Sequence, residues 1–119
     1  MKKIYFLKTC DTSMRILKSI NIEGFELQEI KTNPITVSQL EEMQKLGGSY
    51  EGLFSRRAKK YKQMDLKNQA LSEKEYRQLI LDEYTFLKRP VIIINDKIFI
   101  GNSKKNVENL QVAIKENQL

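Results

Sequence analysis

The chain has 119 residues, a net charge of +6, one cysteine and no histidine. This length suits one domain with a single modest core, and the lack of histidine excludes Cys-His catalysis and histidine metal sites. One thiol cannot form an internal disulfide, and it survives best in a reducing compartment, so we expect a cytoplasmic protein.

No membrane association is expected. The longest purely apolar runs, residues 4–7 and 91–94, are far shorter than the roughly 18 residues that a membrane-spanning helix needs. Lys8 ends the first run too early for a signal peptide. The excess of basic residues is compatible with nucleic acid, small anions or ordinary solubility, and it does not choose among them.

The first part of the chain predicts a parallel βαβ unit. The run "KKIYFL" (residues 2–7) is rich in β-branched and aromatic residues and predicts a buried strand. Apolar residues then recur at helical spacing over about residues 12–20. In "FELQEI" (residues 25–30), alternation at Phe25 and Leu27 predicts a second strand. Strand, helix and strand in so short a span favour parallel pairing.

Two capping boxes predict helices in the middle of the chain. Thr36 with Gln39 begins the first helix, which a Gly-Gly pair ends. Ser72 with Glu75 begins another, predicted over about residues 73–86.

Between these helices lies a basic stretch, "YEGLFSRRAKKYK" (residues 50–62). Its apolar residues Phe54, Ala58 and Tyr61 keep a helical period, which predicts a further helix. Such a charge run most often forms a solvated helix face. An anion contact by one of its arginines is the next alternative, and nucleic-acid binding is a distant third.

The last part of the chain predicts a hairpin and a helix. "PVIII" and "KIFIG" read as strands joined by the two-residue turn Asn95-Asp96. A final helix opens near Ser103. The order is that of an α/β, thioredoxin-like fold: a mixed sheet, β-α-β then β-β-α, with an α-helical insert at about residues 35–86. We expect one domain over residues 1–119; a different small α/β sheet stays open.

Cys10 lies between the first strand and the first helix. Free backbone N–H groups and the positive end of a helix favour the thiolate, the form that attacks electrophiles. Thr12 and Ser13 add hydroxyl donors, and Arg15 adds a positive charge about one turn further on. A lone cysteine is often an inert core residue, but this placement favours a reactive thiol.

Four segments in order, "KTCDTSMRIL", "LFSRRAKKY", "EYTFLKRPVIII" and "IGNSKKN", resemble the arsenate reductase (ArsC) family. This branch of the thioredoxin superfamily also includes the transcriptional regulator Spx. The resemblance spans nearly the whole chain and implies a thioredoxin-like core with a helical insert. It implies Cys10 as the nucleophile in a Cys-x-x-Ser arrangement with Ser13, and Pro90 as a cis proline. From the residues alone, both a cis and a trans Arg89-Pro90 bond stay open.

The resemblance also implies arginines that hold an oxyanion and stabilise the thiolate. Arg89 matches one of them, and guanidinium groups bind such anions bidentately. For the second, Ser55 stands at the family position, and Arg56 and Arg57 follow it. At the third position this sequence has Asn102, with Lys104 or Lys105 able to compensate. The candidate catalytic residues are Cys10, Ser13 and Arg89. The candidate substrate-binding residues are Thr12, Arg15, Arg56, Arg57 and Asn102.

The leading hypothesis is a thiol-dependent oxidoreductase that resembles glutaredoxin-linked arsenate reductases. Cys10 would attack an oxyanion such as arsenate, or a disulfide. Because the chain has no second cysteine, an external thiol must resolve the adduct: glutathione, another low-molecular-weight thiol or glutaredoxin. We expect no bound cofactor, no metal and a monomer.

Two alternatives stay open. The first is an Spx-like regulator that binds RNA polymerase without turnover. Ser13 replaces the second thiol of the Cys-x-x-Cys motif found in redox-sensing Spx proteins, so an internal disulfide switch is excluded. The second alternative is a family member that keeps the fold with little activity, since fold does not fix function.

Overall fold

The computed structural model describes residues 1–117 of the chain. Its helices and strands are β1 (Lys2–Phe6), α1 (Asp11–Ser19), β2 (Glu26–Glu29), α2 (Val37–Gly47), α3 (Lys59–Gln63), α4 (Glu73–Asp82), β3 (Val91–Ile94), β4 (Lys97–Ile100) and α5 (Lys104–Glu116). No helix in this described part is long and apolar enough to cross a bilayer. Two units are separately compact: a sheet unit, Met1–Asn33 with the chain from Arg89 onward, and a helical unit, Pro34–Lys88.

The sheet unit contains a four-stranded sheet in the order β2-β1-β3-β4. β1 and β2 are parallel, and the other neighbours are antiparallel. The predicted βαβ unit, the hairpin and the mixed α/β sheet are therefore confirmed. Asn95 at the hairpin turn has a φ of 56°, a left-handed conformation that asparagine tolerates better than most residues.

One face of this sheet packs against α1 and α5. The sheet side of this core consists of Ile4, Ile92 and Ile94. The helices contribute Ile16, Leu17, Leu110, Ala113 and Ile114. All four residues of β3 are buried, which explains why its sequence is a continuous apolar run rather than an alternating one.

β2 is confirmed as a strand, but burial along it does not follow the alternation at Phe25 and Leu27. Leu27 is 46% exposed, whereas Gln28 is only 5% exposed. The Gln28 amide donates a hydrogen bond of 3.0 Å to the backbone oxygen of Asn33. That bond compensates for burial of a polar side chain. An edge strand with a bonded polar residue therefore breaks the simple alternation rule.

In the helical unit both predicted capping boxes are present. Thr36 accepts a hydrogen bond from the Gln39 amide at 3.0 Å, and the Gln39 side chain accepts one from the Thr36 amide at 3.0 Å. Ser72 and Glu75 make the same reciprocal pair at the start of α4. The helical unit, Pro34–Lys88, nearly coincides with the expected insert at about residues 35–86. That the whole chain forms one domain stays a prediction.

The helical period within residues 50–62 corresponds to an α-helix only at the end of that stretch. A 3₁₀ turn covers Glu51–Leu53, Phe54 is extended, and α3 begins only at Lys59. Phe54 forms an antiparallel bridge with Leu87. Its ring lies 4.9 Å from the rings of both Tyr76 and Phe86. Tertiary pairing and aromatic packing therefore outweigh a short-range helical spacing.

The predicted helix at residues 73–86 is shorter than expected. α4 ends at Asp82, and Glu83 has extended backbone angles of φ −141° and ψ 110°. A separate 3₁₀ turn, Tyr84–Phe86, follows. The apolar spacing continues through the break, so the pattern alone could not locate the end of the helix.

Candidate active site around Cys10

The strand registers bring several chain segments to one end of the sheet unit. Tyr5 of β1 pairs with Val91 of β3 in antiparallel fashion. The chain therefore leaves β1 toward Cys10 at the end where Arg89-Pro90 enters β3. We define residues 7–10, which connect β1 to α1, as the cysteine loop.

Two further segments reach the same end. Ile100, the last residue of β4, also pairs with Val91, so the turn that carries Asn102 follows there. Glu29, the last residue of β2, pairs with Phe6. The topology of the sheet unit thus gathers the cysteine loop, the Arg89-Pro90 segment, the Asn102 turn and the end of β2.

Cys10 is the N-cap residue of α1 and is partly buried. Its amide donates to the Leu7 oxygen at 3.0 Å, and its own oxygen accepts the first helical hydrogen bond from Met14 at 3.0 Å. Its side chain makes no capping hydrogen bond. The backbone of Cys10 therefore starts the helix, while the sulfur takes no part in capping it.

The first turn of α1 offers donors to an anion. The amides of Asp11, Thr12 and Ser13 precede the first helical hydrogen bond, so they have no acceptor within the helix. Ser13 is completely buried, and its Oγ has no hydrogen-bond partner among residues 1–117. A buried hydroxyl without a partner costs free energy. Such donors at a helix N-terminus favour a thiolate or a bound oxyanion.

Thr12 and Arg15 lie on different parts of the α1 surface. Thr12 is partly buried in the first turn, whereas Arg15 is exposed. Ile16 and Leu17 belong to the core face of the same helix. Thr12 is therefore a partly buried residue at the end of α1 that carries Cys10, whereas Arg15 lies on the solvent side of the helix.

The Arg89-Pro90 peptide bond is cis, which resolves the two alternatives that the sequence left open. Arg89 is partly buried, and the Pro90 oxygen accepts a hydrogen bond of 2.8 Å from the Gly101 amide. Asn106 in turn donates to the Gly101 oxygen at 2.9 Å. These bonds fix the turn that presents the exposed Asn102.

Arg56 and Arg57 belong to the helical unit. Arg56 forms an ion pair with Glu51 at 2.9 Å and donates to the Tyr76 hydroxyl at 3.0 Å. Partial burial lowers the pKa of Arg56, but the hydrogen bonds to Glu51 and Tyr76 outweigh it and raise that pKa above its usual value. Arg57 is exposed, and Ser55, at the family's arginine position, is buried. The Arg56 side chain thus has two partners within its own unit, and its contact with a substrate stays a prediction.

Glu29 was not among the residues expected at the site. Its carboxylate accepts a hydrogen bond of 2.9 Å from the Lys8 amide in the cysteine loop. It also accepts bonds from the amides of Lys31 and Thr32 and from the Thr32 hydroxyl. Lys8 and Glu29 are 21 residues apart, and no spacing rule connects them. The one available signal was an acidic residue at the end of a strand, followed by a polar turn.

Within residues 1–117, no three acidic, histidine or cysteine side chains cluster closely enough to hold a metal ion. The donors near Cys10 are backbone amides, hydroxyls and a guanidinium-bearing segment. This set suits an anion rather than a cation.

Known proteins resemble this chain over most of its length. Arsenate reductase of Neisseria meningitidis is 27% identical over 110 residues, which cover 89% of this chain and 94% of that protein. The solved structure of SACOL0876 from Staphylococcus aureus COL is 28% identical with a TM-score of 0.73, covering 92% of this chain and 97% of that one. Arsenate reductase from Vibrio cholerae, at 19% identity and a TM-score of 0.71, covers 95% and 96% and supports the fold alone.

The strongest assignment comes from the sequence profile of the family described as the ArsC family, which matches residues 5–110. The matched range contains the cysteine loop, the cis proline and the Asn102 turn. Its solved relatives share the thioredoxin-like mixed sheet described above. A match over nearly the whole length, on a fold that agrees, makes this chain a member of the ArsC family.

Proposed function

We propose that this protein is a thiol-dependent oxidoreductase, similar to glutaredoxin-linked arsenate reductases, in which Cys10 is the nucleophile. The observation that carries the proposal is the position of Cys10 as the N-cap of α1 with its sulfur outside the capping hydrogen bonds. A sulfur in that position lies beside the helix N-terminus and remains available to a substrate. The name of the Neisseria relative, arsenate reductase, supports this reaction class.

For arsenate, the Cys10 thiolate forms a bond to arsenic and one arsenate oxygen leaves as water after protonation. Reduction to arsenite takes two electrons. Cys10 supplies one sulfur and an external thiol such as glutathione supplies the other, so the thiols end as a mixed disulfide between them. A second external thiol, or glutaredoxin, then releases Cys10. For a disulfide substrate, Cys10 attacks one sulfur, the other leaves as a thiolate, and the same resolution follows.

The surrounding residues supply the binding groups for such an anion. The amides of the first turn of α1 and the Ser13 hydroxyl are donors at the N-terminus of the helix, where Cys10 lies. Arg89 contributes a guanidinium group from the adjoining segment. Asn102 can donate from its amide, but it brings no charge where the family has an arginine. We therefore propose that this protein neutralises a bound oxyanion less completely than a relative with three arginines does.

The test is turnover coupled to glutathione reductase, followed as NADPH consumption with glutathione and glutaredoxin present and corrected for the rate that these thiols give without this protein. Arsenate and a glutathionylated peptide disulfide serve as separate substrates. We expect turnover of at least one substrate by the wild-type protein and none by Cys10→Ser. The matched control is Cys10→Ser with Ser19→Cys, which restores one thiol at the other end of α1. Turnover by either variant, or none by the wild type on both substrates, would contradict the proposal.

A second candidate function is that of an Spx-like regulator that binds RNA polymerase without turnover. Asn102 in place of the third arginine favours it, because a binding protein does not need a complete oxyanion site. The lone thiol persists in a reducing compartment, so we propose a cytoplasmic location for either function. Capture of purified RNA polymerase by both the wild type and Cys10→Ser, without substrate turnover, would support the regulator. No capture by either protein would exclude it.

A further inference from the structure

The Glu29 carboxylate connects two backbone segments at the end of the sheet unit that carries the cysteine loop. Its Oε2 accepts from the Lys8 amide at 2.9 Å, in the cysteine loop. Its Oε1 accepts from the Lys31 amide at 2.9 Å, from the Thr32 amide at 2.8 Å and from the Thr32 hydroxyl at 3.1 Å. Both oxygens are therefore used, one for each segment.

The cysteine loop needs such a restraint, because Lys8 and Thr9 are exposed and burial does not hold them. The parallel pairing of Phe6 with Glu29 brings the end of β2 next to the point where the loop begins. Within the loop, the Cys10 amide bonds back to the Leu7 oxygen at 3.0 Å. Fixing Lys8 from outside therefore limits how the Leu7-to-Cys10 turn can move.

We propose that Glu29 is a positioning residue for Cys10: its carboxylate holds the cysteine loop so that the thiol stays at the N-terminus of α1. The proposal rests on the proposed function in one respect, namely that Cys10 is the reacting group. Glu29 itself need not touch the substrate, because it acts through the backbone of Lys8.

The chemistry of the contact explains why a carboxylate is needed. All four contacts on Glu29 are donors, and an ionised carboxylate is an acceptor at both oxygens. Glutamine has only one acceptor oxygen, and its NH₂ group would face donors on the other side. Glu29→Gln must therefore give up the bond to Lys8 or the bonds to Lys31 and Thr32.

The protonation state is consistent with this role. Partial burial acts to raise the pKa of Glu29, but bonds from the Lys8 amide, the Thr32 amide and hydroxyl and the Lys31 amide outweigh it. The pKa of Glu29 therefore lies below its usual value. The carboxylate remains a full acceptor throughout the neutral range.

The experiment compares Glu29→Gln with the wild type in two readouts. The first is the rate of Cys10 alkylation by iodoacetamide at pH 7 in the native protein, and the second is the Lys8 amide resonance in a ¹H–¹⁵N spectrum. We expect alkylation to slow by roughly two- to fivefold, the change that follows when a thiolate loses part of a helix N-terminus. We also expect the Lys8 amide proton to shift upfield as its bond to a charged acceptor is lost.

The sign of the rate change separates positioning from simple charge removal. Taking away a negative charge without moving the loop would speed alkylation, because a nearby anion disfavours the thiolate. Thr32→Val is the matched control, since it removes one bond to the same carboxylate and leaves the bond to Lys8 intact. We expect no change in alkylation for Thr32→Val. Alkylation of Glu29→Gln that is unchanged or faster would overturn the proposal.

A titration of the wild type keeps the proposal falsifiable if Glu29→Gln does not fold. As Glu29 takes up its proton in acid, the amide resonances of Lys8 and Cys10 should shift with one common midpoint. A Cys10 amide that does not respond at the Lys8 midpoint would overturn the proposal. Neither readout requires turnover, so a wild-type protein that fails to reduce arsenate or disulfides would contradict the proposed function and leave this inference standing.

Discussion

Helices α2 and α4 begin with complete capping boxes, whereas α1 begins at Cys10 with no side-chain cap. In the helical unit, Thr36 and Ser72 satisfy amides that would otherwise lack acceptors, which stabilises each helix start by about 1 kcal/mol. In the sheet unit, α1 leaves its first amides open beside a sulfur. The comparison teaches that the same structural position can serve stability or ligand binding, and that one residue decides which.

The largest expected effect comes from replacing Cys10, which leaves the start of α1 without a side-chain cap, by a residue that caps it. Cys10→Ser should abolish turnover because it removes the thiol. It should also raise the free energy of unfolding by up to about 1 kcal/mol, because serine is among the preferred N-cap residues. The coupled NADPH assay and urea unfolding measure the two quantities on one preparation. Cys10→Ala is the control for stability and should not gain it. A Cys10→Ser protein less stable than Cys10→Ala would mean that residue 10 is not a free cap position.

The next effect tests whether the open helix start binds an oxyanion by itself. Arg89→Ala should lower kcat/KM for arsenate by about 10- to 100-fold, because a hydrogen bond to a charged group is worth roughly 1.5–3 kcal/mol. Arg77→Ala carries the same charge change on a partly buried residue that pairs with Glu41 in the helical unit, and it should leave kcat/KM unchanged. If Arg89→Ala behaves like Arg77→Ala, the helix N-terminus alone binds the anion.

A smaller effect should follow from removing the side-chain cap of α4. Ser72→Ala removes the acceptor for the Glu75 amide and should cost about 1 kcal/mol of unfolding free energy. Alkylation of Cys10 in the folded protein should not change, because Ser72 has no role in the cysteine loop. Chemical denaturation and the iodoacetamide rate measure the two outcomes. Slower alkylation of native Ser72→Ala would show that the two helix starts are not independent.

The smallest effect concerns acid. Because folding lowers the pKa of Glu29, its carboxylate stabilises the fold fully above the unfolded pKa, and this contribution is lost as the pH falls through the lower, folded pKa. The difference in unfolding free energy between wild type and Glu29→Gln should therefore be constant above about pH 5 and shrink below about pH 4. Urea unfolding across this range measures it. A difference that grows in acid would contradict the lowered pKa.

Much of this protein could be predicted because the deciding interactions are local. Each capping box joins residues that are three apart, at Thr36 and at Ser72. The Asn95-Asp96 turn needs only its two neighbouring strands. The position of Cys10 at a helix start follows from the strand before it and the apolar period after it. Neighbouring residues encode all of these features, so a single sequence is sufficient to find them.

The remaining features depend on residues that only the fold brings together. Phe54 is extended because Leu87 pairs with it, not because of its neighbours in sequence. Arg56, expected at a substrate, is held by Glu51 and Tyr76 through an ion pair and an aromatic contact. Sequence spacing cannot anticipate such partners, because their proximity results from packing.

The sequence by itself determined the order of elements, the helix starts and the single thiol that a nucleophilic mechanism would use. Tertiary structure alone decided that Glu29 reaches the Lys8 amide, that Gln28 rather than Leu27 is buried, and that Arg89-Pro90 and Asn102 share one end of the sheet with the cysteine loop. The physical reason is range. Capping and periodicity act within a turn or two of chain, whereas strand register and packing join residues that are distant in sequence.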